Sequence, residues 1–134
     1  MAKREATTNL WVYDMLKDVG LDKCFSPQGS SIKEIDKALS TASKRGTGKV
    51  GFPEYIGVIK DFLIVIENKA DINKHIIRDE NDLIKDDIKS ITEYAVNGAL
   101  FYGLHLSKNT SYKKIIALGI SGNEKNHNIS PIFV

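Results

Sequence analysis

The sequence predicts an α/β protein in which helices flank a mixed central sheet of four or more strands. Two runs rich in β-branched and aromatic residues, 52–59 and 62–69, are separated by only two polar residues, which is typical of a β-hairpin. A long helical pattern follows, and two further apolar runs come after it. A helical crossover between the second and third strands favours a mixed sheet with helices packed against it.

The predicted order of elements is ααββαββ. Apolar residues at helical spacing predict a first helix over residues 8–19. Ser31 and Glu34 match a capping box and predict the start of a second helix. The longest helix is predicted over residues 86–106, with Tyr102 among the polar residues on its outer surface.

The remaining strands are predicted at 113–121 and 129–134, on either side of a polar turn. Residues 21–29 contain a proline and a glycine and are predicted to form a loop. Residues 70–87 are polar and of mixed charge, which predicts a surface connection in which His75 is solvated.

Length and composition limit the classes of protein to consider. A chain of 134 residues is one domain, and a net charge of +2 does not by itself indicate a nucleic-acid-binding protein. The single cysteine, Cys24, excludes an intrachain disulfide. The longest apolar run, 62–66, is too short to cross a membrane, and the first residues lack a signal core. We therefore expect a soluble, cytoplasmic protein with no membrane partner.

The last predicted strand continues to the final residue, with no terminal loop after it. This pattern predicts that residues 1–134 form a single domain at the N-terminus of a longer polypeptide.

The two-residue separation in the hairpin predicts a register. If Lys60 and Asp61 form the turn, the residue numbers of each cross-strand pair add up to 121, and Glu54 lies opposite Glu67. Their Cβ atoms would then be roughly 4.5–5.5 Å apart on one face of the sheet. Lys69 lies two residues beyond Glu67, so strand alternation predicts it on the same face.

Two opposed carboxylates repel, and a divalent cation between them removes the conflict. Mg²⁺ prefers oxygen ligands, usually one or two carboxylates with waters and phosphate oxygens, and Mn²⁺ is a substitute. Such a cation holds a phosphate and lowers the pKa of a coordinated water, which Lys69 would orient. Glu54, Glu67 and Lys69 therefore predict the site of a metal-dependent phosphodiesterase.

The same residues also fit alternatives without a function. Glu67 and Lys69 are also typical of solvated residues that end an edge strand, and Glu54 of an exposed residue after a proline. Residues 44–49, KRGTGK, suggest either a phosphate-contacting loop or an ordinary solvated turn, and they lack the spacing of a nucleotide-binding P-loop.

Pro53-Glu54, twelve intervening residues and then Glu67-Asn68-Lys69 resemble the motif of the PD-(D/E)XK nuclease superfamily, with Glu in place of the first Asp. The apolar run leading into ENKAD is similar to the N-terminal nuclease domains of type I and fused type II restriction-modification enzymes. The resemblance implies a restriction-endonuclease-like fold, a metal site at Glu54 and Glu67, and a catalytic Lys69. It also suggests Glu34 as an additional acidic ligand.

The sequence thus predicts a Mg²⁺-dependent DNA endonuclease domain that acts in restriction-modification beside other domains or subunits of the same enzyme. The alternative is a catalytically inactive module on the same fold that binds DNA or another protein.

Overall fold

The computed structural model describes residues 3–27, 30–42 and 52–134. The strands are β1 (Phe25–Pro27), β2 (Tyr55–Ile59), β3 (Phe62–Lys69), β4 (Lys114–Gly122) and β5 (His127–Phe133). The helices are α1 (Lys3–Asp18), α2 (Lys33–Leu39), α3 (Ile88–Glu93) and α4 (Ala95–Asn109), and a 3₁₀ turn spans Asp22–Cys24. No helix in these parts of the chain is long and apolar enough to cross a membrane.

The five strands form one sheet in the order β1-β2-β3-β4-β5. β3 and β4 are parallel and are joined through α3 and α4, whereas the other neighbouring strands are antiparallel. The predicted α/β class and mixed sheet are therefore confirmed. β3 lies at the centre of the sheet, and its last residues, 67–69, pair with β4 beyond the end of β2.

Helices cover both faces of this sheet. One hydrophobic cluster joins β3 to α2 and α4, and it includes Leu63, Val65, Leu39, Ala99 and Leu106. A second cluster joins the opposite face to α1, and it includes Ile66, Ile120, Val12 and Leu16. Because side chains alternate along a strand, Glu67 continues the first row towards α4 and Asn68 continues the second towards α1.

A short strand lies where the sequence predicted a loop. β1 pairs antiparallel with β2, and Phe25 lies opposite Gly57. A Cβ atom at Gly57 would lie 2.5 Å from the carbonyl oxygen of Cys24, so glycine permits this close approach. Pro27 is the last residue of this edge strand, a position where proline is tolerated. The predicted element order therefore lacked one strand.

The single long helix predicted over residues 86–106 is wrong. Tyr94 has extended backbone angles, φ −114° and ψ 137°, and separates α3 from α4. The N–H groups of Ala95 and Val96 donate to the carbonyls of Lys74 and His75, at 2.9 and 2.8 Å. These tertiary hydrogen bonds satisfy the first N–H groups of α4, so the helix can begin again there.

The predicted capping box at the start of α2 is also wrong. Ile32 is the N-cap residue, and no side chain caps the helix. Ser30 Oγ instead accepts a hydrogen bond from the N–H of Ile32 at 3.1 Å. The carboxylate of Glu34 instead accepts a hydrogen bond from the hydroxyl of Ser111.

Candidate metal-binding acidic pair

The β2–β3 hairpin has the predicted register. The residue numbers of its pairs add up to 121, from Ile59 opposite Phe62 to Tyr55 opposite Ile66. Glu54 directly precedes β2, and its backbone N–H donates to Oε1 of Glu67 at 3.1 Å. The hairpin therefore brings the two acidic residues together at the end away from its turn.

Glu67 is buried, with 3% of its surface exposed. It lies in β3, which has a strand on each side, so the alternative that it is a solvated edge-strand residue is wrong. Burial of a carboxylate is costly unless the charge is paired or hydrogen-bonded. The backbone N–H of Glu54 supplies one such hydrogen bond to Glu67.

The pKa of Tyr102 in α4 is affected by the charges of this pair. The sequence placed it on the outer surface of its helix, but it is only 1% exposed. Burial raises the pKa of Tyr102 well above its ordinary range, and the negative charges of Glu67 and Glu54 raise it further. The phenol therefore stays neutral. The negative charges of Glu67 and Glu54 thus act on the interior next to α4, where they would stabilise a cation.

Lys69 is the last residue of β3 and pairs with Ser121 of β4. Strand alternation places its side chain on the same side of the sheet as Glu67. It is half-buried, and within the described parts of the chain its ammonium group has no ion pair or hydrogen bond. Glu54, Glu67 and Lys69 therefore lie at one end of the hairpin, where Glu67 and Lys69 share one side of the sheet and the carboxylate of Glu54 reaches Asn9 of α1.

Glu34 does not join this group. Its carboxylate accepts hydrogen bonds from the backbone N–H and the hydroxyl of Ser111, and these bonds lower its pKa. Ser111 precedes β4, whose first residue, Lys114, pairs with Phe62. Phe62 lies five residues from Glu67, roughly 17 Å along the strand. The structure thus places Glu34 at the opposite end of the sheet.

His75 is not solvated, contrary to the prediction. It is 8% exposed, and its Nδ1 and Nε2 atoms lie 2.8 Å from the hydroxyls of Ser121 and Ser130, respectively. Burial lowers the pKa of the imidazole. The hydrogen bonds of His75 therefore hold the connection formed by residues 70–87 against β4 and β5, next to Lys69.

The rest of the connection is also tied to the fold. Asn97 of α4 accepts from the N–H of Ile77 at 3.0 Å and donates to the carbonyls of Ile77 and Lys85, at 3.0 and 2.8 Å. Asn97 is 1% exposed. Residues 70–87 are therefore held against α4 by a buried amide, which composition alone did not indicate.

Asn9 of α1 is a residue that sequence reasoning missed. Its Nδ2 donates to Oε2 of Glu54 at 3.1 Å, and its Oδ1 accepts from Nδ2 of Asn68 at 2.9 Å. Its backbone carbonyl accepts from the hydroxyl of Tyr55 at 3.1 Å. No local pattern marks it, because its partners lie 45 or more residues away in the sequence.

The ligand set of the site is small. In the described residues, no three His, Cys, Asp or Glu side chains converge as a metal cluster would. Two carboxylates suit Mg²⁺ or Mn²⁺, which complete their coordination with waters and phosphate oxygens. The loop at residues 44–49, predicted to contact phosphate, lies outside the described residues.

Comparison with known proteins found a relative of this chain. The whole chain is 35% identical, over 136 aligned residues, to the type II restriction enzyme and methyltransferase RM.BcgI of Heyndrickxia coagulans. The chain spans 21% of the length of that relative. No protein-family model matches the sequence, and no solved structure matches the fold.

Proposed function

We propose that this chain is the DNA-cleaving domain of a restriction-modification enzyme and that it hydrolyses phosphodiester bonds with Mg²⁺ held by Glu54 and Glu67. The pairing of a buried Glu67 with Glu54 at the end of a central strand carries the proposal. Similarity of the whole chain to one part of a restriction enzyme supports it. The mixed sheet flanked by helices suits a restriction-endonuclease-like fold of the PD-(D/E)XK type.

Each residue has a distinct role in this proposal. Glu54 and Glu67 would supply the carboxylate oxygens for the cation, and a cation bound there would provide a contact for the scissile phosphate and lower the pKa of a water. Lys69 orients the attacking water or neutralises charge that develops on the phosphate. Tyr102 and the surrounding core exclude bulk solvent from the inner side of the pair. Hydrolysis forms a bond from the water oxygen to phosphorus and breaks one phosphorus–oxygen ester bond.

DNA is the proposed substrate, and other parts of a larger enzyme are the proposed partners. The net charge of +2 gives this chain a weak grip on the phosphate backbone. The relative is about five times longer and combines restriction with methylation in its name. We therefore expect sequence recognition and most of the DNA affinity to come from elsewhere in such an enzyme.

Cation binding and DNA cleavage test the proposal. The protein is titrated with Mn²⁺ by calorimetry and incubated with plasmid DNA in Mg²⁺, Ca²⁺ or excess chelator. We expect Mn²⁺ binding, weak nicking or cutting with Mg²⁺, little with Ca²⁺, and none with chelator. Ca²⁺ has longer and looser coordination, so it positions the reacting groups less well.

Two results would contradict this function. Robust cleavage in excess chelator would remove the metal mechanism. Failure to bind any divalent cation would favour the alternative, a module on the same fold without catalysis, because such a module has no use for the acidic pair as a cation site.

A further inference from the structure

A chain of hydrogen bonds joins α1 to the acidic pair. Asn68 donates to Asn9 at 2.9 Å, and Asn9 donates to Glu54 at 3.1 Å. Asn68 lies between Glu67 and Lys69 in β3 and is 1% exposed. The strand that carries Glu67 is therefore connected to the carboxylate of Glu54 through one residue of α1.

The donors in this chain run in a single direction. An ionised carboxylate only accepts hydrogen bonds, so Asn9 must turn its amide nitrogen to Glu54. Its oxygen then faces Asn68, which must present its own amide nitrogen. The charge on Glu54 thus dictates the orientation of both amides, and reversal of either amide would break the chain.

This arrangement is unfavourable for Asn68 itself. Its Oδ1 is buried and has no hydrogen-bond partner in the described part of the chain. A buried amide oxygen without a donor destabilises the folded state, and an apolar side chain here would remove that penalty. The unpartnered oxygen works against stability, so the hydrogen bond to Asn9 is the contact that gives asparagine a role at position 68.

We propose that Asn9 is a positioning residue for Glu54 and that Asn68 holds Asn9 in the orientation that donates to that carboxylate. The inference rests on the proposed function. A carboxylate held by a hydrogen bond has less rotational freedom to lose when a cation binds. Neighbours that orient metal ligands typically change metal affinity when they are removed.

The test combines Mn²⁺ affinity, from calorimetry, with the thermal midpoint in EDTA. The variants are Asn9→Ala and Asn68→Leu, and Leu10→Ala is the matched control because Leu10 is next to Asn9 on α1 and is 67% exposed. We expect Asn9→Ala to weaken Mn²⁺ binding about 10- to 100-fold. Asn68→Leu should weaken it less, while its midpoint in EDTA stays unchanged or rises. Leu10→Ala should match the wild type in both measurements.

A purely structural role for the two asparagines predicts the opposite pattern. The midpoint in EDTA would fall in both variants and Mn²⁺ affinity would stay within about twofold of the wild type; this result overturns the inference. If Asn9→Ala does not fold, Asn68→Leu decides alone, because the inference requires weaker Mn²⁺ binding without a loss of stability.

Glu67→Gln separates this inference from the proposed function. If Glu67→Gln loses Mn²⁺ binding while both asparagine variants bind like the wild type, the acidic pair remains a metal site and only the positioning role fails. If the wild type binds no Mn²⁺, the proposed function fails and the inference fails with it.

Discussion

The acidic residues at the two ends of the β2–β3 hairpin differ in burial and in the charges beside them. At the turn end, formed by residues 59–62, Asp61 is exposed and lies 2.9 Å from the ammonium of Lys114. That hydrogen-bonded lysine lowers the pKa of Asp61. At the acidic end, which carries Glu54, Glu67 and Lys69, a buried carboxylate lies against a second acidic residue.

The two ends differ in the electrostatic surroundings of their carboxylates. An exposed ion pair such as Asp61–Lys114 is a common surface feature that contributes little in either direction. A buried carboxylate beside another is unfavourable unless something positive joins it. The acidic end therefore gathers two negative charges, one of them buried, and such arrangements are frequently functional sites.

The largest expected contrast is between the two ends themselves. Glu67→Gln should abolish divalent-cation binding and metal-dependent cleavage, because it removes a charged ligand from the acidic end. The thermal midpoint in EDTA should hold or rise, since the change also removes repulsion within the pair. Asp61→Asn at the turn end is the matched control and should bind Mn²⁺ like the wild type. Equal loss in both variants would mean that the two ends do not differ in function.

A second contrast compares two lysines of the hairpin. Lys69→Ala should keep most of its Mn²⁺ affinity, because an ammonium group is not a metal ligand, yet slow cleavage by about 10²- to 10⁴-fold. Lys60→Ala changes an exposed lysine at the turn and should cleave normally. Calorimetry and single-turnover cleavage measure the two effects separately. A Lys69→Ala variant with a normal rate would exclude this lysine from the reaction.

Packing beneath the acidic end gives a third, smaller effect. Gly119 pairs with Glu67, and a Cβ atom there would lie 2.7 Å from the backbone nitrogen of Val96 at the start of α4. Because backbone cannot move aside easily, Gly119→Ala should destabilise the protein by about 1–3 kcal/mol. Gly103→Ala is the control, since the nearest atom to its Cβ, at 2.9 Å, belongs to the side chain of Val134.

Chemical denaturation of both glycine variants measures this difference. Gly119→Ala should also weaken Mn²⁺ binding, because it displaces the strand next to Glu67. Equal stability of the two variants would show that α4 does not confine the acidic end.

The smallest expected effect is a pH dependence at the acidic end. Burial lowers the pKa of His75 below its ordinary value of 6.5, so just below that pH the unfolded chain binds more protons than the folded one. The contribution of His75 to stability is therefore complete above about pH 6.5 and declines as the pH falls below it. Thermal midpoints from pH 8 to pH 5 should fall more steeply in the wild type than in His75→Gln.

His127→Gln is the control for this measurement, because His127 is exposed and packs against Trp11 with ring centroids 4.7 Å apart. It should keep the pH dependence of the wild type. A flat profile in the wild type would mean that His75 titrates alike in the folded and unfolded chains.

The hairpin was predictable from sequence because its information is local. Two runs of β-forming residues and a two-residue turn determine the register, and the register alone sets Glu54 beside Glu67. The helical crossover likewise predicted a mixed sheet, in which β3 and β4 are the parallel pair. Alternation along one strand then assigns Lys69 to the side of Glu67 without any knowledge of the rest of the fold.

Only the tertiary structure decided the surroundings of that hairpin. The restart of α4 at Ala95 depends on carbonyls of residues 74 and 75, and the burial of Tyr102 and His75 depends on which faces the helices cover. Asn9 reaches Glu54 across 45 residues of sequence, a contact that no periodicity encodes. The physical reason is range: propensity and alternation act over a few residues, whereas burial and hydrogen bonding join whichever residues the packed elements bring together.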